Sequence, residues 1–438
     1  MVNSQFKVFC FCIFILQFIS CSRTPLIDSI STESLDGYKF QKLLNSGKDT
    51  IKLGPGTLFI DRVIVIPSNT TIIGNSTIIS YKHPLENNLF RSNKSTNILI
   101  KNVSVKPLSK AMGKKHNGAY YLFKLLNSSD IVFENVHFDG SMNTAIALFD
   151  VKDVTIEKCS FENFGGDTKG KNYSYDGIFI GAYNEGTNKV IIEDCVFENI
   201  GTNFKNAIYD NDGDGIQTYS KNASIENIQI EGCQFRGISR RGIKIQTGNS
   251  ISIINNTFIK CKVALGVPLA SPSNGITFSR NTISDGILGI SPNSPKNKEF
   301  GISNLEISDN IFKNISGGLR TSGTSQILSG LIKGNKFLNI DKYAIDGRIS
   351  NTNITGNLFS NYQRLQHKRV KAAIYIWDNS KSTTIEKNTF TPIDNTANDI
   401  YLYPKSKDIL IRDNLFTSKS KSRIGKIINK SNKNKIFN

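Results

Sequence analysis

Beyond its N-terminus the chain lacks any apolar run long enough to cross a bilayer as a helix, which removes an internal membrane span. It has only four histidines, His83, His116, His137 and His367, and no two stand at metal-binding spacing. No Ser-His-Asp order, phosphate loop or zinc motif is visible either. Of seven cysteines, three (Cys10, Cys12 and Cys21) belong to the N-terminal segment, and the remaining four have to be read with the repeat described below. Acidic residues are scarce as well: 36 Asp and Glu stand against 54 Lys and Arg, a formal charge of +18. That balance favours an anionic partner, whether nucleic acid, membrane surface or acidic polysaccharide.

What is present begins with Lys7 followed by VFCFCIFILQFIS and Cys21. The run is short for a membrane span, and FISC resembles a loose lipobox of a bacterial lipoprotein signal. Residues 1–21 then read as a signal peptide cleaved before Cys21, and 22–50 as a tether and N-terminal cap. The resemblance implies an exported lipoprotein anchored to the outer membrane through lipid on Cys21, facing the periplasm or the cell surface. Ser-Arg-Thr-Pro after Cys21 lacks acidic residues, which leans toward the periplasm. Export sets nucleic acid aside and leaves anionic polysaccharide as the partner of a monomer.

The strongest pattern is an eight-residue repeat, apolar at its first and third positions and closing on a large apolar residue. It runs through TIIGNSTI from Thr71, ILIKNVSV from Ile98, IVFENVHF from Ile131 and VTIEKCSF from Val154, and on to ILIRDNLF from Ile409, thirteen copies in all. The copies are 22 to 38 residues apart, and each has the two-residue period of a strand. An all-β fold follows: a single-stranded right-handed parallel β-helix over 51–416, a solenoid of about 13 coils with an N-terminal cap helix. At roughly 4.8 Å per coil the rod is about 60 Å long.

The sixth repeat position is Cys159, Cys195 and Cys233 in consecutive coils, then Asn256, Asn281, Asn310, Asn335, Asn357, Asn388 and Asn414. An Asn ladder that satisfies buried turn amides is expected, with the cysteines reduced and stacked beside it. Phe fills the eighth position in ten copies, an internal aromatic stack. The basic segment 417–438 reads as a tail or cap without further coils.

From about Lys39 to Phe416 the chain resembles the pectate lyase-like superfamily, with FQKLLNSGKDTIKLGPGTLFI similar to its cap helix, turn and first strand. The fold is thereby implied, but not the activity, since this scaffold carries lyases, hydrolases, epimerases and adhesins.

Function is therefore sought where coils depart from the repeat. Three long intervals carry the loops KPLSKAMGKKHNG, GGDTKGKNYSY and GTNFKNAIYDNDG, expected to wall a groove. Aligning the strands that follow places YDGIFIG, GDGIQTY and RRGIKIQ in register. Asp176, Asp214 and Arg241 then form one column, and Phe179, Gln217 and Lys244 another. Ile178, Ile216 and Ile243 point inward, so the second column points out. The carboxylates Asp176, Asp210, Asp212 and Asp214 crowd together and call for a cation, for which Ca²⁺ suits oxygen ligands. Arg240, Gln217, Tyr209, Lys221, Phe179 and His116 complete the candidate substrate contacts.

DGDGIQ followed by RGIKIQTG resembles family 9 pectate lyases, which implies β-elimination on a uronic-acid polysaccharide. Lys244 would be the base, its pKa lowered by Arg241 and Ca²⁺, with Asp214 and Asp176 the other catalytic groups. A polygalacturonase-like hydrolase using paired Asp176 and Asp214 is the first alternative. Against it, Tyr175 and Gly213 stand where that family has Thr and Asp, and Arg241 where it has His. A non-catalytic polysaccharide-binding or adhesin solenoid is the second alternative.

Overall fold

The computed structural model describes residues 29–81, 88–108, 121–140, 144–165, 175–201, 213–294, 298–362, 372–393, 397–418, 421–422 and 425–437. The signal segment, Cys21, and the central parts of the three long loops lie outside the described residues, together with His116, Tyr209, Asp210 and Asp212.

The first two repeats lie within single long strands, Thr70–Tyr81 and Thr96–Pro107, and from Ile131 on each repeat folds as two strands joined by a sharp corner. Val154–Phe161, for instance, spans Lys152–Glu157 and Ser160–Glu162. The corner is set by the fifth repeat position, which lies in the left-handed region in Asn102, Asn135, Lys158, Asp194, Asn255, Arg280, Asp309, Lys387 and Asp413. Asn and Asp tolerate that conformation, whereas Lys158, Arg280 and Lys387 each sustain a strain of roughly 1–2 kcal/mol. A third strand follows each loop, so every coil contributes to three parallel sheets.

The first coil departs from the expected frame. Thr70 pairs with Ile98 but Thr77 pairs with Val103, so the corner holds two extra residues around Ser76. In consequence Ile79, not Ile78, enters the core.

The Asn ladder is continuous. From Asn256 to Asn388, each Asn donates its backbone N–H to the side-chain oxygen of the next at 2.8–3.0 Å, ending on Asn414. Cys233 N–H donates to Asn256 Oδ1 at 2.9 Å, and the thiols of Cys159, Cys195 and Cys233 donate to carbonyls of the preceding coil. All three are reduced, as is Cys261. They cap the ladder as small buried donors.

The Phe stack is in place, with centroids 4.7–5.1 Å apart from Phe138 to Phe258 and 4.8–5.2 Å from Phe312 to Phe416, broken where Ile283 takes the position. These rings explain the glycine of each site strand. A Cβ at Gly177, Gly215 or Gly242 would lie 2.7–3.0 Å from ring atoms of Phe197, Phe235 or Phe258.

At the N-terminal end the helix Gly37–Leu44 caps the core with Phe40 and Leu44, its first turn fixed by Asp36 accepting from Lys39 N–H. It covers the sheet edges that an open end would expose. The C-terminal segment continues the solenoid, contrary to the expectation for 417–438. Ile427–Asn429 pairs with Asn398–Leu402 and Lys435–Ile436 with Leu410–Arg412, because Ile427 and Ile436 supply apolar side chains to the core.

Candidate functional site

The third sheet brings the two expected columns together. Ile178 pairs with Ile216 and Phe179 with Gln217, and then Asp214 pairs with Arg241 and Gln217 with Lys244. Isoleucines 178, 216, 243 and 245 are fully buried, which turns Phe179, Gln217 and Lys244 to the outer face.

That outer face is not open to solvent at its centre. Lys244 is 6% exposed, and Asp176 and Asp214 are 0% exposed. The carboxylate of Asp214 lies 3.5 Å from Lys244 Nζ and 3.5 Å from Arg241 Nη1. Lys244 Nζ also donates to Gln217 Oε1 at 3.1 Å, and Gln217 Nε2 donates to Gln246 Oε1 at 2.9 Å. The sequence alignment placed Asp176 and Asp214 at the groove edge, whereas the strands enclose them, with Asp176 N–H donating to Thr144 Oγ1 and Gly177 N–H to the Asp214 carbonyl.

Burial dominates the electrostatics. It holds the Lys244 ammonium below its ordinary pKa; Asp214 and Asp176 oppose this, while Arg241 and Arg240 add to it. Burial likewise raises the Asp214 carboxyl, against the pull of Lys244 and Arg241. The lowered Lys244 pKa has the direction expected from Arg241 and Ca²⁺, but loss of hydration is its leading cause.

Around the Lys244 amine, Asp214 and Asp176 act as opposite charges and Arg241 and Arg240 as like charges. Guanidinium stays charged in proteins, so the lysine is the cation able to become neutral.

Several neighbours were not legible beforehand. Arg241 runs across Gly266, where a Cβ would lie 2.2 Å from Arg241 Cδ and 2.6 Å from its Nε. Beside Phe179, Phe149 lies 5.4 Å away and Tyr121 6.5 Å, while Tyr183 stacks on Phe149 at 4.6 Å. Burial pushes the Tyr121 phenol well up, and Asp176 adds to the effect. Phe149 stands at an outward position of the third sheet, paired with Gly181 two residues beyond Phe179, and that position was the available signal for it; Tyr121 lies in the column of Thr144, and Tyr183 lies beyond the end of the strand Ile178–Ala182.

Lys221, expected among the substrate contacts, is not brought to Asp214. It is exposed in the turn beyond the far end of the strand Asp214–Ser220. Among the described residues no three His, Cys, Asp or Glu side chains gather as a metal site.

The sequence pattern of the right-handed beta helix region family matches residues 171–330, the stretch that holds these coils. A tailspike protein of E. coli bacteriophage HK620, solved as a double mutant, superposes with a TM-score of 0.60 at 12% identity, covering 91% of this chain and 80% of that one. The chain is a right-handed parallel β-helix. This β-helix is also similar to the surface protein and adhesin PfbA of Streptococcus pneumoniae, with a TM-score of 0.54 at 14% identity, covering 92% of this chain and 100% of that one. Tailspike protein 3 of bacteriophage CBA120 gives 0.52 at 14% identity, over 92% and 62%. At such identities the likeness establishes the fold alone. No curated protein matches the chain.

Proposed function

We propose that this β-helix cleaves a uronic-acid polysaccharide by β-elimination on the outer face of its third sheet. The carrying observation is Lys244, a buried amine with a lowered pKa set beside Arg241 over a shared carboxylate. Arg241 pairs with the uronate carboxylate, which makes the C5 proton more acidic. Neutral Lys244 takes that proton, the C4–O bond breaks with its electron pair on oxygen, and a C4–C5 double bond forms. The leaving oxygen takes a proton from water. Asp214 holds both cations in place, and Gln217 orients Lys244.

The test is incubation of the mature protein with a panel of uronic-acid polymers while following the ultraviolet absorbance of the unsaturated product. Reducing ends formed without that absorbance would shift the reading to hydrolysis by Asp176 and Asp214. The burial of both carboxylates and the engagement of Asp214 by two cations speak for elimination. In the non-catalytic binding reading neither product would form.

Arg241 gives a second, more local test. Gly266→Ala is expected to push the guanidinium off its course, since no strain of the backbone accompanies the added methyl. The expected outcome is a KM raised about tenfold, the loss of one charge-assisted contact, together with a lowered melting temperature because the guanidinium is drawn from the buried Asp214 carboxylate. An unchanged KM would remove Arg241 from substrate binding.

Calcium is a separate part of the proposal. Asp214 is a poor ligand because its carboxylate already faces Lys244 and Arg241, so no step above passes through the ion. Asp176, Asp210 and Asp212 are the residues that would hold it, and it would supply positive charge to the substrate carboxylate. Calorimetric titration is expected to show calcium binding that survives Asp214→Asn and is lost in Asp212→Asn; absence of binding to the native chain would reduce the loop to turn chemistry. The lipid anchor on Cys21, and with it membrane attachment, belongs to the same proposal and would be checked by mass spectrometry of the exported protein.

A further inference from the structure

The outward column that carries Lys244 continues along the rod. Lys244 pairs with Gly266 and Gly266 with Ser291, and the next coils place Arg320, Asp346, Tyr375 and Tyr401 on the same face. Arg320 and Asp346 therefore stand three and four coils from Lys244, about 15–20 Å along the axis.

There a second constellation is held together. Asp346, 5% exposed, accepts from the indole Nε1 of Trp377 and lies 3.7 Å from Arg320 Nε. The Arg320 guanidinium lies 5.6 Å from the centre of the Tyr343 ring and donates to its hydroxyl at 3.4 Å. Trp377 is thereby fixed at the wall of a cleft of about 450 Å³ that Arg348, Asp378 and Tyr403 also line. One residue further along the turn from Asp378, Asn379 lines a second cleft of about 520 Å³ with Lys381, Lys405 and Lys407. Among the described wall residues the acidic side chain is Asp378, which accepts from Lys405 N–H at 2.8 Å, and Glu299, outside the walls, lies 3.5 Å from Arg348 Nη1. Four cations thus face the two clefts beside two aromatic rings.

We propose that this turn edge is a second binding site, taking an anionic polysaccharide strand away from the reacting centre. The rings of Trp377 and Tyr403 offer flat apolar surface to a sugar ring, and Arg348 and the lysines offer partners for its carboxylates. Continuity with the column of Lys244 lets one strand reach both places. The inference rests on the proposed polysaccharide reading, and its test separates the two.

Trp377 is the chain's sole tryptophan, so its fluorescence reports on this site and no other. The Lys244→Ala protein, titrated with polygalacturonate or alginate at low salt, is expected to show a saturable change in emission, with none for neutral dextran. Arg348→Ala and Lys405→Ala, each with an unchanged melting temperature, are expected to weaken the apparent affinity about tenfold. Unchanged emission while the wild-type protein degrades the same polymer would overturn this site and leave the proposed activity standing. A saturable change with no degradation of any polymer would support the site and remove the elimination reading. An equal response to a DNA oligonucleotide would overturn the assignment to polysaccharide, reducing the clefts to general anion attraction.

Discussion

Lys244→Ala is expected to lower turnover of the uronate polymer by about 10²–10⁴-fold, the contribution of a positioned general base. The fold should persist, because Ile243 and Ile245 carry this strand into the core and Asp214 keeps Arg241 at 3.5 Å as its counter-ion. Substrate affinity should change little, since Arg241 provides the carboxylate contact. The pH profile gives an independent reading. A base must be neutral to act, so activity should rise with pH through the lowered pKa of Lys244. Any residual activity of the alanine variant should lack that limb. Normal turnover by this variant, together with a dead Asp214→Asn variant, would transfer the chemistry to the carboxylates.

Sequence disclosed those parts of the molecule that stacking repeats. A residue in one coil lies against its counterpart in the next, so the columns of Asn256 to Asn414 and of the phenylalanines are legible as recurring letters. The same logic placed Asp214 beside Arg241 and Gln217 beside Lys244. It failed where a corner changes length, as at Ser76, and where the apolar period weakens, as at Ile427 and Ile436. Strand alternation says which way a side chain points, not whether other side chains cover it. Lys244 points outward as expected, yet it is buried, and that burial rather than its charged neighbours leads its pKa shift. Tyr121, Gly266 and the Trp377–Asp346 pair have no signature either, because their partners come from other coils.

Asp214→Asn should have the largest effect on stability, and its sign with pH can be worked out. In the native chain the carboxylate sits fully buried between two cations, so removing its charge leaves Lys244 and Arg241 facing each other with less compensation. Breaking a buried pair of this kind costs about 3–5 kcal/mol. The loss should not be uniform with pH. Lys244 already has a folded-state pKa below its unfolded value, and Asp214 is the leading group holding it up. Without Asp214 the folded-state pKa falls further, so the window between folded and unfolded values widens downward. Within that window the unfolded chain binds more protons, and stability therefore rises with pH. The variant should be weakest below the folded pKa, where Lys244 is charged, and should recover as pH climbs and the amine becomes neutral. Urea unfolding at a series of pH values measures this directly. In activity, the rising limb assigned to Lys244 should move to lower pH while turnover survives in part. A variant with no activity at any pH, and a stability deficit that does not shrink with rising pH, would show that Asp214 acts on the substrate and does not merely hold the cations.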